Sequence, residues 1–181
     1  MATNVEIKVR VNELVAVRRA AAALADQGPF RLQQVDHFFP VYFGRLKLRM
    51  QHSDLPEQSR TAELIAYQRA NTACARTSDY TRCVVPDPEC LRIALSDSLG
   101  QGAIVRKTRE LYLVGRTRIH LDTVDGLGMF VELEVVLDPQ ELEAAGMREL
   151  SEIQSALGLQ DAEVMKDAYG DMIASVVEVP E

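Results

Sequence analysis

The residues best equipped for chemistry lie between Arg116 and Leu137 of the 181-residue chain. Two strand-like runs flank Asp125-Gly126-Leu127-Gly128, a segment of the kind that closes a hairpin. Successive side chains of an extended chain point to opposite faces. Arg116, Arg118, His120 and Asp122 therefore share one face of the first run, with Ile119 and Leu121 on the other. On the second run Glu132 and Glu134 fall together, opposite Val131, Leu133 and Val135. One hairpin thus gathers three carboxylates, an imidazole and two guanidiniums on one side. Guanidinium forks suit bidentate contacts to phosphate, and clustered carboxylates suit a hard divalent cation.

The same parity recurs along the chain. Asn4, Glu6, Lys8 and Arg10 alternate with Val5, Ile7, Val9 and Val11. Arg45, Lys47 and Arg49 oppose Leu46, Leu48 and Met50, while Glu63, Ile65, Tyr67 and Arg69 keep one parity, as do Lys107 and Arg109. Basic residues dominate these faces although the whole chain carries a formal charge of −7. The plain reading is the solvated outer face of an antiparallel sheet. Two features point elsewhere: these positions are nearly all ionisable rather than mixed with Thr, Ser and Gln, and Arg predominates. A sheet curled into a barrel, apolar face outward beneath helices, would place the charges in a lumen. Such a lumen is costly unless a charged ligand and metal ions fill it. A triphosphate with Mg2+ or Mn2+ meets that requirement.

The elements that must position these groups read as follows. Residues 13–27 have helical period, with Val17, Ala21, Leu24 and Ala25 on one stripe and Gly28-Pro29 as a stop. Strands are expected at 30–39, 45–49, 63–69, 80–85 and 103–114, with a loop over 51–60. Asp87-Pro88 opens a helix that ends near Gly100. Asp138 and Glu141 form a capping box before one or two helices that run to about Ser175, with Gly146 and Gly158 as breaks. The length and the absence of a linker imply one domain over residues 1–181. No run of about 18 apolar residues suggests a membrane span, and with no basic region followed by an apolar one at the N-terminus no secretory signal is expected. The acidic balance argues against bulk attraction to nucleic acid. Cys74, Cys83 and Cys90 contain no C-x-x-C pair and read as reduced intracellular thiols, which points to a cytoplasmic protein.

In order along nearly the whole chain, several segments resemble the CYTH domain family, the triphosphate tunnel metalloenzymes. Glu6 and Lys8 match its E-x-E-x-K signature, with Asn4 where the first Glu is expected. Asp36-His37-Phe38-Phe39, Gly44-Arg45-Leu46-Lys47-Leu48-Arg49, the 63–69 and 105–109 segments and Ser78-Asp79-Tyr80 are similar to family segments. The most specific are the R-I-H-L-D and E-L-E elements of the hairpin, although Met129 replaces the Asp usual in G-L-G-D-F. The tail Ala168-Tyr169-Gly170-Asp171 is similar to the family's closing motif.

The resemblance implies an α+β fold, an eight-stranded antiparallel β-barrel with flanking helices. It implies metal ligands at Glu6, Glu132, Glu134 and Asp122, and phosphate contacts at Lys8, Lys47, Arg49, Lys107, Arg109 and Arg118. Arg45 and Arg69 join the substrate-facing set, and parity leaves lumen and rim open for both, as for Arg116. Asp122, Lys107 and Arg109 are the expected catalytic residues. The expected cofactor is Mg2+ or Mn2+, and the expected partner is a nucleoside triphosphate or inorganic tripolyphosphate, with no nucleic acid and no membrane. The chain is expected to be a monomer or homodimer. The implied reaction is that of a class IV adenylyl cyclase, closest in spelling to that branch, or of a triphosphatase; a non-catalytic polyphosphate or nucleotide binder is the alternative. His120 is expected to orient Asp122 or to touch substrate. Tyr67 and Phe130 are expected to pack, Arg10 to lie at the rim, and His37 and His52 to be ordinary loop or surface residues.

Overall fold

Alternation of apolar and ionisable residues produces long strands, and the computed structural model describes residues 2–54 and 60–177. In chain order the elements are β1 (Ala2–Val11), α1 (Val15–Leu24), β2 (Gln27–Phe39), β3 (Arg45–Ser53), β4 (Arg60–Arg69) and β5 (Arg76–Val84). There follow α2 (Pro88–Leu99), β6 (Ile104–Val114), β7 (Thr117–Val124), β8 (Gly128–Val136), α3 (Glu143–Ala156), β9 (Glu163–Val164) and α4 (Tyr169–Val177). The sheet runs β5-β4-β3-β2-β6-β7-β8-β1 and closes through antiparallel pairing of Ala2–Glu6 with Arg76–Tyr80. The result is the expected eight-stranded antiparallel barrel with four flanking helices. β9 continues along β1 beyond the closure, pairing Val9 with Val164.

The apolar parity faces outward, as the lumen reading requires. Val5, Ile7, Val9, Ile119, Leu121, Val131, Leu133 and Val135 are buried beneath Val17 and Ala21 of α1 and Leu150 of α3. Each such side chain contributes about 1.5–3 kcal/mol by leaving water. A second cluster, with Val105, Val124 and Phe130 from the barrel and Tyr169 and Met172 from α4, closes one end of the bore. Arg45 reaches Asp171 at 2.7 Å and ties α4 to β3.

Several boundaries differ from expectation. α1 stops at Leu24, and Gly28-Pro29 lies inside β2, where the register with β6 shifts between Gln27 and Phe30. Proline cannot donate to the ladder, so a bulge rather than a helix stop accommodates it. Residues 51–53 continue β3, and residues 55–59 of the expected loop lie outside the described residues. Asp138 and Glu141 bond to each other within a turn, but α3 begins two residues later at Glu143 without a side-chain cap. Gly146 is no break: it lies within α3, where a Cβ would meet Leu137 Cδ2 at 2.6 Å and Val5 Cγ2 at 3.0 Å. Its missing side chain is what lets the helix approach the barrel. Gly158, at φ +69°, does follow the helix end. The three cysteines are exposed and unpaired, and no described helix is long and apolar enough to cross a membrane.

Candidate active site

The barrel encloses a cavity of about 610 Å3. Its wall carries seven cationic side chains, Lys8, Lys47, Arg49, Arg82, Lys107, Arg109 and Arg118, against five carboxylates, Glu6, Asp36, Glu63, Glu132 and Glu134. Strand parity aims these groups inward, and the cross-strand register places them side by side. β1 sets Glu6 opposite Glu134 and Lys8 opposite Glu132, while β7 sets His120 opposite Glu132 and Arg118 opposite Glu134. β2 and β3 bring Asp36 opposite Arg49, and β6 and β7 bring Arg109 opposite Asp122.

Two buried aspartates organise the cations. Asp36 accepts both arms of Arg49 at 2.7 Å and a bond from Lys47 at 3.0 Å, with Lys107 at 3.9 Å. Burial alone would raise the Asp36 carboxyl, but Arg49 and Lys47 outweigh it and hold it well below the usual range. Asp122 takes the fork of Arg109 at 2.6 Å on each oxygen and the Tyr169 hydroxyl at 2.9 Å. Against burial, Arg109 and Lys107 push its carboxyl down as well. The lysines respond in the opposite sense. Burial, then Arg49, lowers the Lys47 amine to about 8. Burial and Arg109 push Lys107 well below its ordinary value.

The third grouping can hold a metal. His120 Nδ1 and the carboxylates of Glu132 and Glu134 lie within 4.8 Å of one another. An imidazole nitrogen with two carboxylate oxygens is a donor set for a divalent cation. His120 Nδ1 is buried without a hydrogen-bond partner, since the carboxylates stand 3.7 and 3.8 Å away, beyond hydrogen-bond length. Burial and Arg109 hold this imidazole below its ordinary pKa, in the neutral form that ligates metal. Glu132 also accepts from Arg109 at 2.9 Å and faces Lys8 at 3.6 Å.

Most of the expected site residues converge here. Lys8, Lys47, Arg49, Lys107, Arg109, Arg118, Glu6, Glu132 and Glu134 all line the cavity. Asp122 lies behind Arg109, fully buried, its oxygens taken by that guanidinium and by Tyr169. Glu6 stands beside Glu134, but Arg76 donates to it at 3.2 Å. Arg45 is spent on Asp171 and Asn71 at the α4 end. The Arg69 side chain lies outside the described residues. Arg116 leaves the hairpin face altogether, because it precedes β7 and binds Glu141 and Glu149 on the outer surface. Arg10 sits at the rim, donating to the Leu127 carbonyl. His120 faces Glu132 and Glu134 rather than Asp122. Phe130 packs against Tyr169, and Tyr67 lines the cavity.

Three residues take positions in the site that the sequence reading missed. Asp36 was visible only as part of a motif, although it is the lone carboxylate among the inward positions of β2. Arg76 was hidden because the expected strand began only at Tyr80, whereas β5 begins at Arg76. Tyr169 was only a tail motif, yet it plugs the bore and lies 3.9 Å from Lys8 through its ring.

A CYTH domain model matches residues 2–169. The chain belongs to the CYTH domain family. Members are metal-dependent enzymes that bind triphosphate substrates, adenylyl cyclases and triphosphatases among them. Adenylate cyclase CyaB of Aeromonas hydrophila is 25% identical over 183 residues, which cover 91% of this chain and 85% of that protein. The PH1012 protein of Pyrococcus horikoshii OT3 superposes with a TM-score of 0.76 at 20% identity, covering 94% of this chain and 99% of that one. HpAC1 from Hippeastrum, described as a candidate adenylyl cyclase with a dominant triphosphatase activity, superposes with a TM-score of 0.60 at 14% identity, covering 99% and 98%.

Proposed function

We propose that the bore binds a triphosphate with a divalent cation and promotes attack on phosphorus, with conversion of ATP to cyclic AMP and pyrophosphate as the leading reaction. The observation that carries this reading is the convergence, in one cavity, of a cationic wall and the His120-Glu132-Glu134 donor cluster. The similarity to CyaB favours cyclisation over other fates of the triphosphate.

Lys47, Arg49 and Arg109 bind the phosphate oxygens, and the two buried aspartates hold those cations in place before the ligand arrives. Preorganised charge of this kind supplies much of the rate in phosphoryl chemistry. A divalent ion held by Glu132, Glu134 and His120, with Glu6 beside them, would neutralise charge on the phosphates. In the cyclase reaction the ribose 3′-oxygen bonds to the α-phosphorus, the bond from that phosphorus to the bridging oxygen breaks, and pyrophosphate leaves with the electron pair. Lys107 is placed to accept the hydroxyl proton, since its amine is depressed by burial and lines the cavity. Arg109 offsets the charge that develops, and Asp122 holds Arg109 in position. α4 closes one end of the bore against water.

A second reading is hydrolysis of the triphosphate, for which HpAC1, with its dominant triphosphatase activity on the same barrel, is the support. Incubation with ATP or tripolyphosphate and Mg2+ or Mn2+, followed by separation of products, discriminates. Cyclic AMP with pyrophosphate supports cyclisation, and phosphate without cyclic AMP supports hydrolysis. Tight binding with no product selects a non-catalytic binder, for which Asn4 in place of an acidic residue is the motivating feature.

A further inference from the structure

The reading above leaves the identity of the cation open between Mg2+ and a transition ion, and His120 bears on it directly. The imidazole is 4% exposed, and its Nδ1 has no hydrogen-bond partner. It points between Glu132 Oε2, 3.7 Å away, and Glu134 Oε1, 3.8 Å away. Glu134 presents Oε1 to the imidazole while its other oxygen faces Arg118 at 3.5 Å. Glu132 Oε2 also accepts from Arg109 at 2.9 Å.

We infer that His120 Nδ1 is a metal ligand, and that it makes the bore selective for a first-row transition ion such as Mn2+ or Co2+ over Mg2+. This deepens the metal-dependent reading above and rests on it. Nitrogen donors raise affinity for first-row ions in the order Mn2+ below Co2+, while Mg2+ prefers an all-oxygen shell with several retained waters. A wall of Glu6, Glu132 and Glu134 alone would be an oxygen site without this preference. The imidazole is what separates the two classes of ion.

The test uses the intact protein and the ions Mn2+, Co2+ and Mg2+ as probes. Mn2+ binding is read from the electron paramagnetic resonance of the free ion, and the other two by competition. The unmodified protein is expected to bind Co2+ more tightly than Mn2+, and Mn2+ on the order of tenfold more tightly than Mg2+. His120→Asn should lower Mn2+ affinity about tenfold and leave Mg2+ within about twofold, whereas Glu134→Gln should weaken all three. Electron spin-echo modulation on the Mn2+ complex of the unmodified protein should show coupling to a directly bound imidazole nitrogen, a readout that does not depend on any variant folding. A folded His120→Asn with an unchanged Mn2+ to Mg2+ ratio, or a Mn2+ complex without nitrogen coupling, overturns the inference. Absence of binding by every ion, with and without tripolyphosphate, would instead defeat the metal-dependent reading itself.

Discussion

Asp36 offers the sharpest separation between a structural ion network and a ligand site. The carboxylate is 2% exposed and serves as the shared counter-charge of Arg49, Lys47 and Lys107. Asp36→Asn keeps the shape and one acceptor oxygen but removes the charge. Breaking a buried pair by neutralising one partner costs about 3–5 kcal/mol. For a chain of 181 residues, each kcal/mol corresponds to roughly 2–4 °C in melting temperature, so a fall of roughly 6–20 °C is expected. A triphosphate brings the missing negative charge back to the same cations, and no Asp36 charge then competes for Arg49. Tripolyphosphate at 100 times its Kd adds about 2.7 kcal/mol, enough to restore half or more of the loss. Calorimetric melting of both proteins, with and without tripolyphosphate, measures this. The variant should melt lower and gain more from the ligand than the unmodified protein does. A variant that melts within about 2 °C of the unmodified protein, or gains less from the ligand, refutes the view that Asp36 holds these cations for phosphate.

Further outcomes follow from the same geometry. Glu134→Gln should abolish turnover while shifting the melting temperature little, because the Glu134 contacts are long, with Arg118 at 3.5 Å and His120 at 3.8 Å; Glu132→Gln should also lose stability, since it loosens Arg109 and Lys8. The Lys47 amine, lowered to about 8 from an ordinary 10.5, destabilises the fold most below pH 8, where it is charged in both states, and that penalty fades as pH rises from 8 to 10.5. Triphosphate favours the charged amine, so affinity should fall by up to about tenfold per unit above pH 8 with proton uptake on binding. Titration calorimetry in buffers of different ionisation enthalpy should find less uptake in Lys47→Arg; equal uptake in both proteins would contradict the assignment. Gly146→Ala should destabilise by about 1–3 kcal/mol despite alanine's better helix propensity, because the new methyl meets Leu137 and Val5; a stabilised variant in urea unfolding would show that α3 yields.

Much of this architecture was readable from parity. The alternation in β1 and in the β7–β8 hairpin placed valines and isoleucines on one side and ions on the other, and the predominance of arginine hinted that the ionic side was inside. Parity assigns a face but not a height along the barrel. Arg116 and Arg118 share parity, yet one precedes β7 and grips α3 while the other lines the cavity. Nor does parity reveal ion pairs between strands distant in sequence. Arg76 reaches Glu6 and Arg45 reaches Asp171 because of register and the docking of α4, neither of which has a local sequence signal. Gly146 was misread because a helical glycine spells the same whether it ends a helix or admits a neighbour. His120 was recognised as a member of the hairpin, but its alignment with Glu132 and Glu134, rather than with Asp122, depended on the pairing of β7 with β8.

The central claim, a charged bore built to receive a triphosphate, is tested most directly by titrating inorganic tripolyphosphate into the protein and into Arg49→Met by calorimetry, with Mn2+ present in both. One site per chain with micromolar affinity, weakened at least about a hundredfold in the variant, is the predicted result. No binding to the folded unmodified protein, or equal affinity in the variant, would contradict it.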